Sequence, residues 1–161
     1  MKPEIYDLAM PFNESKGYYD LELENGDLKT TNSYSTSLLL TYGVNARASS
    51  GLVANDNRGG WWGNLFNTDR NSAIGSQLWI IANDQFTEDN KNRGKAILDV
   101  AFGYYVTAGM AKQVNITASM IKNGYQYDIK LIISDSVSES ETFKLWTNTK
   151  QNTKQNTKAE T

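Results

Sequence analysis

One stretch decides what this chain can become. Ile97, Val100, Ala101, Tyr104, Tyr105 and Ala108 recur at i, i+3, i+4, i+7, i+8 and i+11, the repeat that gathers apolar side chains on one stripe of an α-helix. Thr87 stands ahead of it as an N-cap, with Glu88 and Asp89 where the helix dipole favours negative charge. Gly109 stands behind it as a left-handed C′ residue. The period then changes to two. Val114, Ile116, Ala118 and Met120 alternate with polar neighbours, Asn123-Gly124 reads as a turn, and Tyr125, Tyr127, Ile129, Leu131 and Ile133 alternate back. A last strand is expected over residues 142–146, with Phe143 and Leu145 on one face. A helix with one apolar stripe and a meander with one apolar face cover each other.

The front half supplies smaller pieces. Tyr19, Leu21 and Leu23 alternate with polar residues, and Asn25-Gly26 follows, the strongest short hairpin signal because both positions tolerate positive φ. Asp27 and Leu28 begin the return strand. Residues 36–48 read as a helix carrying Leu38, Leu39 and Tyr42. Residues 49–63 read as a loop, and Leu78 to Ala82 as a short helical piece. The fold class is therefore α+β: an N-terminal hairpin and two to three helices packed on an antiparallel β-meander.

At 161 residues and 18.0 kDa the chain fits one domain. Residues 1–146 are expected to form it. Residues 147–161, TNTKQNTKQNTKAET, repeat a polar tetrad and hold no apolar side chain but Ala159. Such a stretch has nothing to bury against its ordering entropy and is expected to be a disordered, weakly basic tail.

Two absences narrow the chemistry. There is no Cys, so no disulfide framework and no thiolate nucleophile or metal ligand. There is no His, which removes Ser-His triads and nearly every zinc or non-haem iron site. No cofactor, metal or catalytic residue is expected. A net charge of −2 offers no basic field for nucleic acid, and a mean hydropathy of −0.55 without a long apolar run gives no membrane span. The start, MKPEIYDLAMPF, does not read as a secretory signal, so the product is expected in the cytoplasm where it is made.

The most unusual stretch is Asp56-Asn57-Arg58-Gly59-Gly60-Trp61-Trp62-Gly63-Asn64. Adjacent Trp residues cannot share one face of a strand or one helix stripe, so one is expected inside and one outside. The outward one would be a sugar-stacking platform or a protein-interface anchor, since Trp and Arg dominate binding hot spots. The duller reading is a plug under glycine-rich backbone. Gly59-Gly60 lacks the Lys-Ser/Thr of a phosphate cradle. Asp84, Glu88 and Asp89 read first as helix-start acids. Arg47 reads as a dipole partner or a buried ion-pair donor. Asp56 and Asp84 form the least implausible glycosidase pair.

The order of these pieces carries a resemblance. A helix ending near Asn45-Ala46-Arg47-Ala48 is followed by Arg58-Gly59-Gly60-Trp61-Trp62-Gly63, by Gly75-Ser76-Gln77-Leu78-Trp79, by a long Thr-led helix, and by Gly109-Met110-Ala111 before the meander. Over residues 20–133 this resembles the small baseplate protein family of Mu-like contractile-tailed phages, itself similar to baseplate wedge proteins and sheath initiators. The resemblance implies a structural role and no enzyme: several copies around the tail tube, joining other wedge proteins to the first ring of sheath, made in the host cytoplasm and carried in the virion baseplate. It implies that Arg47, Arg58, Trp61, Trp62 and Trp79 act as an interface or core set. Phe143 and Leu145 join that set through the last strand, an edge suited to strand exchange. The chain departs from the family in keeping one of two arginines near Arg47, in an extra Gly before the Trp pair, and in Asn64 and Gln77 where charged residues are usual. The competing readings are a carbohydrate-binding module and a muramidase-type glycosidase acting at the cell wall.

Overall fold

In the computed structural model, which describes residues 7–53, 57–66 and 73–146, the chain begins as a ribbon of short paired strands. β1 (Asp7–Leu8) pairs antiparallel with β6 (Thr30–Thr31). Inside that closure β2 (Phe12–Asn13) pairs with β3 (Tyr18–Tyr19), and β4 (Leu23–Glu24) with β5 (Asp27–Leu28). Asn25 and Gly26 turn at φ 54° and 86°, as a two-residue hairpin requires. The alternation from Tyr19 to Leu23 is not one strand. Asn13 carbonyl accepts from the Lys16 and Gly17 amides, which makes an earlier turn. Tyr19 therefore pairs back to Phe12, their rings edge-to-face at 5.1 Å, while Leu23 pairs forward to Leu28.

α1 (Ser35–Gly43) is shorter than the expected 36–48. Val44 turns extended, with ψ 137°, and the backbone beyond it finds partners outside the helix. Ala46 N–H donates to Ser76 at 2.8 Å, and Ala48 N–H to Arg58 at 2.8 Å. These bonds satisfy the amides that a longer helix would have used. The start of α1 is tied down by Thr36 Oγ1 donating to Leu8 carbonyl at 2.6 Å and by Tyr34 N–H donating to Glu139 Oε2 at 2.7 Å.

α2 (Glu88–Thr107) has the expected ends. Thr87 Oγ1 accepts from Asn90 N–H at 3.2 Å. Gly109 is left-handed at φ 71°, with Gly109 N–H on Val106 carbonyl and Met110 N–H on Tyr105 carbonyl, the paired bonds of a Schellman cap. Its buried stripe is rotated from the expected one. Gly94, Leu98, Phe102 and Tyr105 face the sheet, Ile97 and Ala101 flank them, and Val100 is 82% exposed. Two overlapping stripes of helical period exist in this sequence. The sheet takes the one whose Gly94 leaves room for the Tyr127 ring.

That sheet is β7 (Gln113–Ile121), β8 (Gly124–Ser134) and β9 (Val137–Trp146), antiparallel in that order. The register sets rows across it, Ala118–Tyr127–Phe143 and Met120–Tyr125–Leu145 among them, with Tyr125, Tyr127 and Phe143 in the core and Met120 exposed. The turn is Lys122-Asn123, with Asn123 at φ 64°, and Gly124 is already paired to Ile121. Gly124 serves a close approach instead, since a Cβ there would meet the Leu145 carbonyl. β9 is longer than the expected 142–146 because Ser134 pairs with Val137 across a tight turn. Tyr125 hydroxyl accepts from Thr87 N–H at 2.9 Å and so fixes the start of α2 to the central strand. The result is α+β. Among the described residues no helix is long and apolar enough to cross a membrane. The expected tail over 147–161 and the candidate acid Asp56 lie outside the described residues.

Candidate functional site: a clamped aromatic cleft

Residues 44–48 run extended between two other segments and are bonded to both. On one side Trp61 N–H donates to Asn45 carbonyl at 2.8 Å, and Arg58 Nε donates to Ala48 carbonyl at 2.7 Å. On the other, Trp79 Nε1 donates to Ala46 carbonyl at 2.8 Å and Gln77 Nε2 to Arg47 carbonyl at 2.9 Å. Gly59 and Gly60 are left-handed, at φ 56° and 110°. A Cβ on Gly59 would stand 2.9 Å from the Trp79 ring, and one on Gly60 2.9 Å from Arg47 Cβ. Only glycine lets the loop lie this close in this conformation.

From this clamp the chain enters a 3-10 turn, Trp62–Leu65. Asn64 closes it with both ends of its amide: Nδ2 donates to Ile74 carbonyl at 2.8 Å and Oδ1 accepts from Ile74 N–H at 3.0 Å. The turn projects an aromatic cluster. Trp61 is 40% exposed, Trp62 69%, Leu65 76% and Phe66 77%. The Trp61 and Trp62 ring centroids are 5.9 Å apart, and Trp62 meets Phe66 edge-to-face at 6.0 Å. Trp61, Trp62 and Leu65 line a cleft of about 1060 Å³, with Arg47 and Arg58 on its wall and Phe66 beside it against Trp62. Neither arginine meets a carboxylate among the described residues.

The residues singled out in the sequence fall into two groups. Arg47, Arg58, Trp61 and Trp62 converge on the cleft. Trp79 lies behind it, half-buried and hydrogen-bonded to the clamp, so it is the plug, and neither member of the Trp pair is buried as one was expected to be. Phe143 and Leu145 lie elsewhere and turn inward: Phe143 is buried against Tyr42, and Leu145 packs at the core's margin. What β9 presents outward is its backbone edge. Sequence reasoning missed Leu65 and Phe66, although two apolar residues inside an Asn- and Gly-rich loop were a signal. The acids are engaged locally: Asp84 pairs with Arg93 at 3.1 Å, and Glu88 with Lys91.

Two comparisons with known proteins bear on the family of this chain. The model of the phage protein family GP46 matches residues 34–141, from the start of α1 into β9. The baseplate protein gp46 of Escherichia phage Mu is 27% identical over 124 residues, which covers 75% of this chain and 82% of that protein. The family match spans the residues of the clamp, the cleft and most of the sheet, and the chain belongs to the GP46 family of Mu-like phage baseplate proteins.

Proposed function

We propose that this protein is a structural part of a phage tail baseplate and that the clamped cleft is the surface by which it assembles. One observation carries the reading: Trp61, Trp62, Leu65 and Phe66 stand exposed together on a loop tied to residues 44–48 through Arg58 and Trp61 and to Ile74 through Asn64. Soluble proteins seldom leave such a cluster bare unless something covers it, and a pre-ordered loop loses little entropy on docking. The two wall arginines suit an acidic rim on whatever docks. Membership of the family supports a structural role and not an enzymatic one.

In this reading the β9 edge is offered to sheath, extending the sheet by strand addition, while the cleft holds a neighbour within the baseplate. The chain thereby joins wedge to the first sheath ring, in several copies around the tube, and travels from host cytoplasm into the virion tail. The test is incorporation. Tails assembled with the Trp62→Ala, Phe66→Ala double variant should lack the protein or fail to build sheath, although the variant folds. Normal, infectious tails would overturn the assembly role of the cleft. Clearing of cell walls by the purified protein, or its retention on a glycan column through Trp62, would favour the sugar-directed readings instead.

A further inference from the structure

The arm formed by β1 to β6 lies ahead of the 34–141 family match and has an unusual surface. Its tip is the β4–β5 hairpin. Leu23 stands directly opposite Leu28, and Glu24 directly opposite Asp27. Opposed residues share a face and successive residues alternate, so the hairpin has one apolar face and one acidic face. Leu23 is 75% exposed and Leu28 41%. A two-stranded hairpin with its apolar face in water is marginal by itself, so this one is built to be covered. The acidic face is biased: between residues 7 and 31 six acids (Asp7, Glu14, Asp20, Glu22, Glu24, Asp27) stand against Lys16 and Lys29, a net of −4. Both lysines are engaged inside the arm, by Asp20 at 4.0 Å and by Glu22 at 2.9 Å.

The molecule holds the complement of this tip. The cleft supplies exposed Trp62 and Leu65 for an apolar face, and Arg47 and Arg58, with no carboxylate among the described residues, for an acidic one. Its apolar surface continues over Ala46 and Ser49 into a shallower groove of about 400 Å³ that ends at Ile97 and the exposed Val100 of α2. Among the described residues nothing covers Leu23 at the tip or Trp62 and Leu65 at the cleft. We infer that the occupant of the cleft is the Leu23/Leu28 hairpin of a second copy, its acidic face against Arg47 and Arg58. This rests on the reading of the cleft as an assembly surface and names what fills it. The contact is heterologous, tip to cleft, and repeats from copy to copy, forming a ring if the rotation closes. The charged part of it weakens with salt.

Two variants and their mixture decide the matter. Leu23→Asp removes the tip and Trp62→Ala removes the cleft anchor. Both positions are exposed, and unchanged melting temperatures confirm folding. By sedimentation velocity at low salt the natural chain should self-associate in a concentration-dependent way, and each variant alone should associate at least tenfold more weakly. Mixed one to one, the variants retain one intact tip and one intact cleft, and should form a dimer that grows no further. A natural chain that stays monomeric to about 1 mM overturns the proposal, as do variants that still self-associate or a mixture that stays monomeric. If tails fail with the Trp62 double variant while the natural chain is monomeric, the assembly reading of the cleft stands and its occupant is a different protein.

Discussion

The ring of Tyr42 lies flat on that of Phe143, with centroids 4.4 Å apart and planes 10° from parallel. This stack joins α1 to the edge strand β9, two elements far apart in sequence. The Tyr42 hydroxyl is buried and has no hydrogen-bond partner among the described residues. An unpaired buried hydroxyl costs stability, while the ring beneath it contributes. Tyr42→Phe should therefore leave the fold unchanged or stabilise it by up to ~1 kcal/mol, whereas Phe143→Ala should cost ~3–5 kcal/mol. Urea unfolding of the two variants measures this directly. A Tyr42→Phe protein destabilised by more than ~1 kcal/mol would show that the hydroxyl is bonded in solution.

Burial also sets how the fold meets alkali. It holds the Tyr42 phenol well above its ordinary value and pushes Tyr105 up to about 12, in Tyr105 partly offset by the hydrogen bond to Thr41. In the unfolded chain both phenols ionise near pH 10. Below that pH neither state loses a proton and the contribution to stability is fully present. Above it the unfolded state binds fewer protons than the folded one, so stability falls as pH rises, by up to ~1.4 kcal/mol per pH unit for each such phenol. Unfolding free energy should be level from about pH 7 to pH 10 and decline beyond it. The decline should be shallower in Tyr42→Phe. An equal slope in that variant would remove Tyr42 from the explanation.

Gly94 sits in the middle of α2, where glycine costs about 1 kcal/mol against alanine by helix propensity alone. A Cβ there would collide with the Tyr127 hydroxyl and stand 2.8 Å from Ile81 Cδ1. Both neighbours are fully buried, and overpacking of this kind costs ~1–3 kcal/mol. Gly94→Ala should therefore destabilise despite its better propensity. A stabilised Gly94→Ala protein, read by the midpoint of chemical unfolding, would mean that helix and sheet are less closely packed than described.

Much of the fold was legible because local signals and packing agree there. Thr87 caps, Gly109 terminates, Asn25-Gly26 turns, and β7 and β8 alternate in the expected phase. Legibility fails where tertiary partners decide. Val44 to Ala48 has helical composition, but its backbone is bonded by Arg58, Trp61 and Ser76, which no local window contains. The stripe of α2 is ambiguous by one position, and only the Tyr127 ring against Gly94 resolves it. In the cleft the Arg and Trp residues were visible by type. Their division into exposed Trp62 and structural Trp79 was not, because it depends on which ring nitrogen finds the Ala46 carbonyl.

That division gives the last prediction. Trp62 is 69% exposed and its ring contacts among the described residues are with the exposed Trp61 and Phe66, so Trp62→Ala should change stability by no more than ~0.5 kcal/mol. It should nonetheless cost ~2 kcal/mol or more in assembly, as a hot-spot aromatic does. Trp79 should behave the other way. Its N–H satisfies Ala46 carbonyl and its ring lies under Gly59. Trp79→Phe keeps an aromatic ring but leaves that carbonyl without its donor, a loss of ~1–3 kcal/mol where the group stays dry. The clamp then loosens and the cleft loses its shape, so assembly suffers only as a consequence of the weakened fold. Thermal melts and tail incorporation, measured on both variants, separate the two roles. If Trp62→Ala melts early, or Trp79→Phe melts normally, the assignment of anchor and plug is reversed.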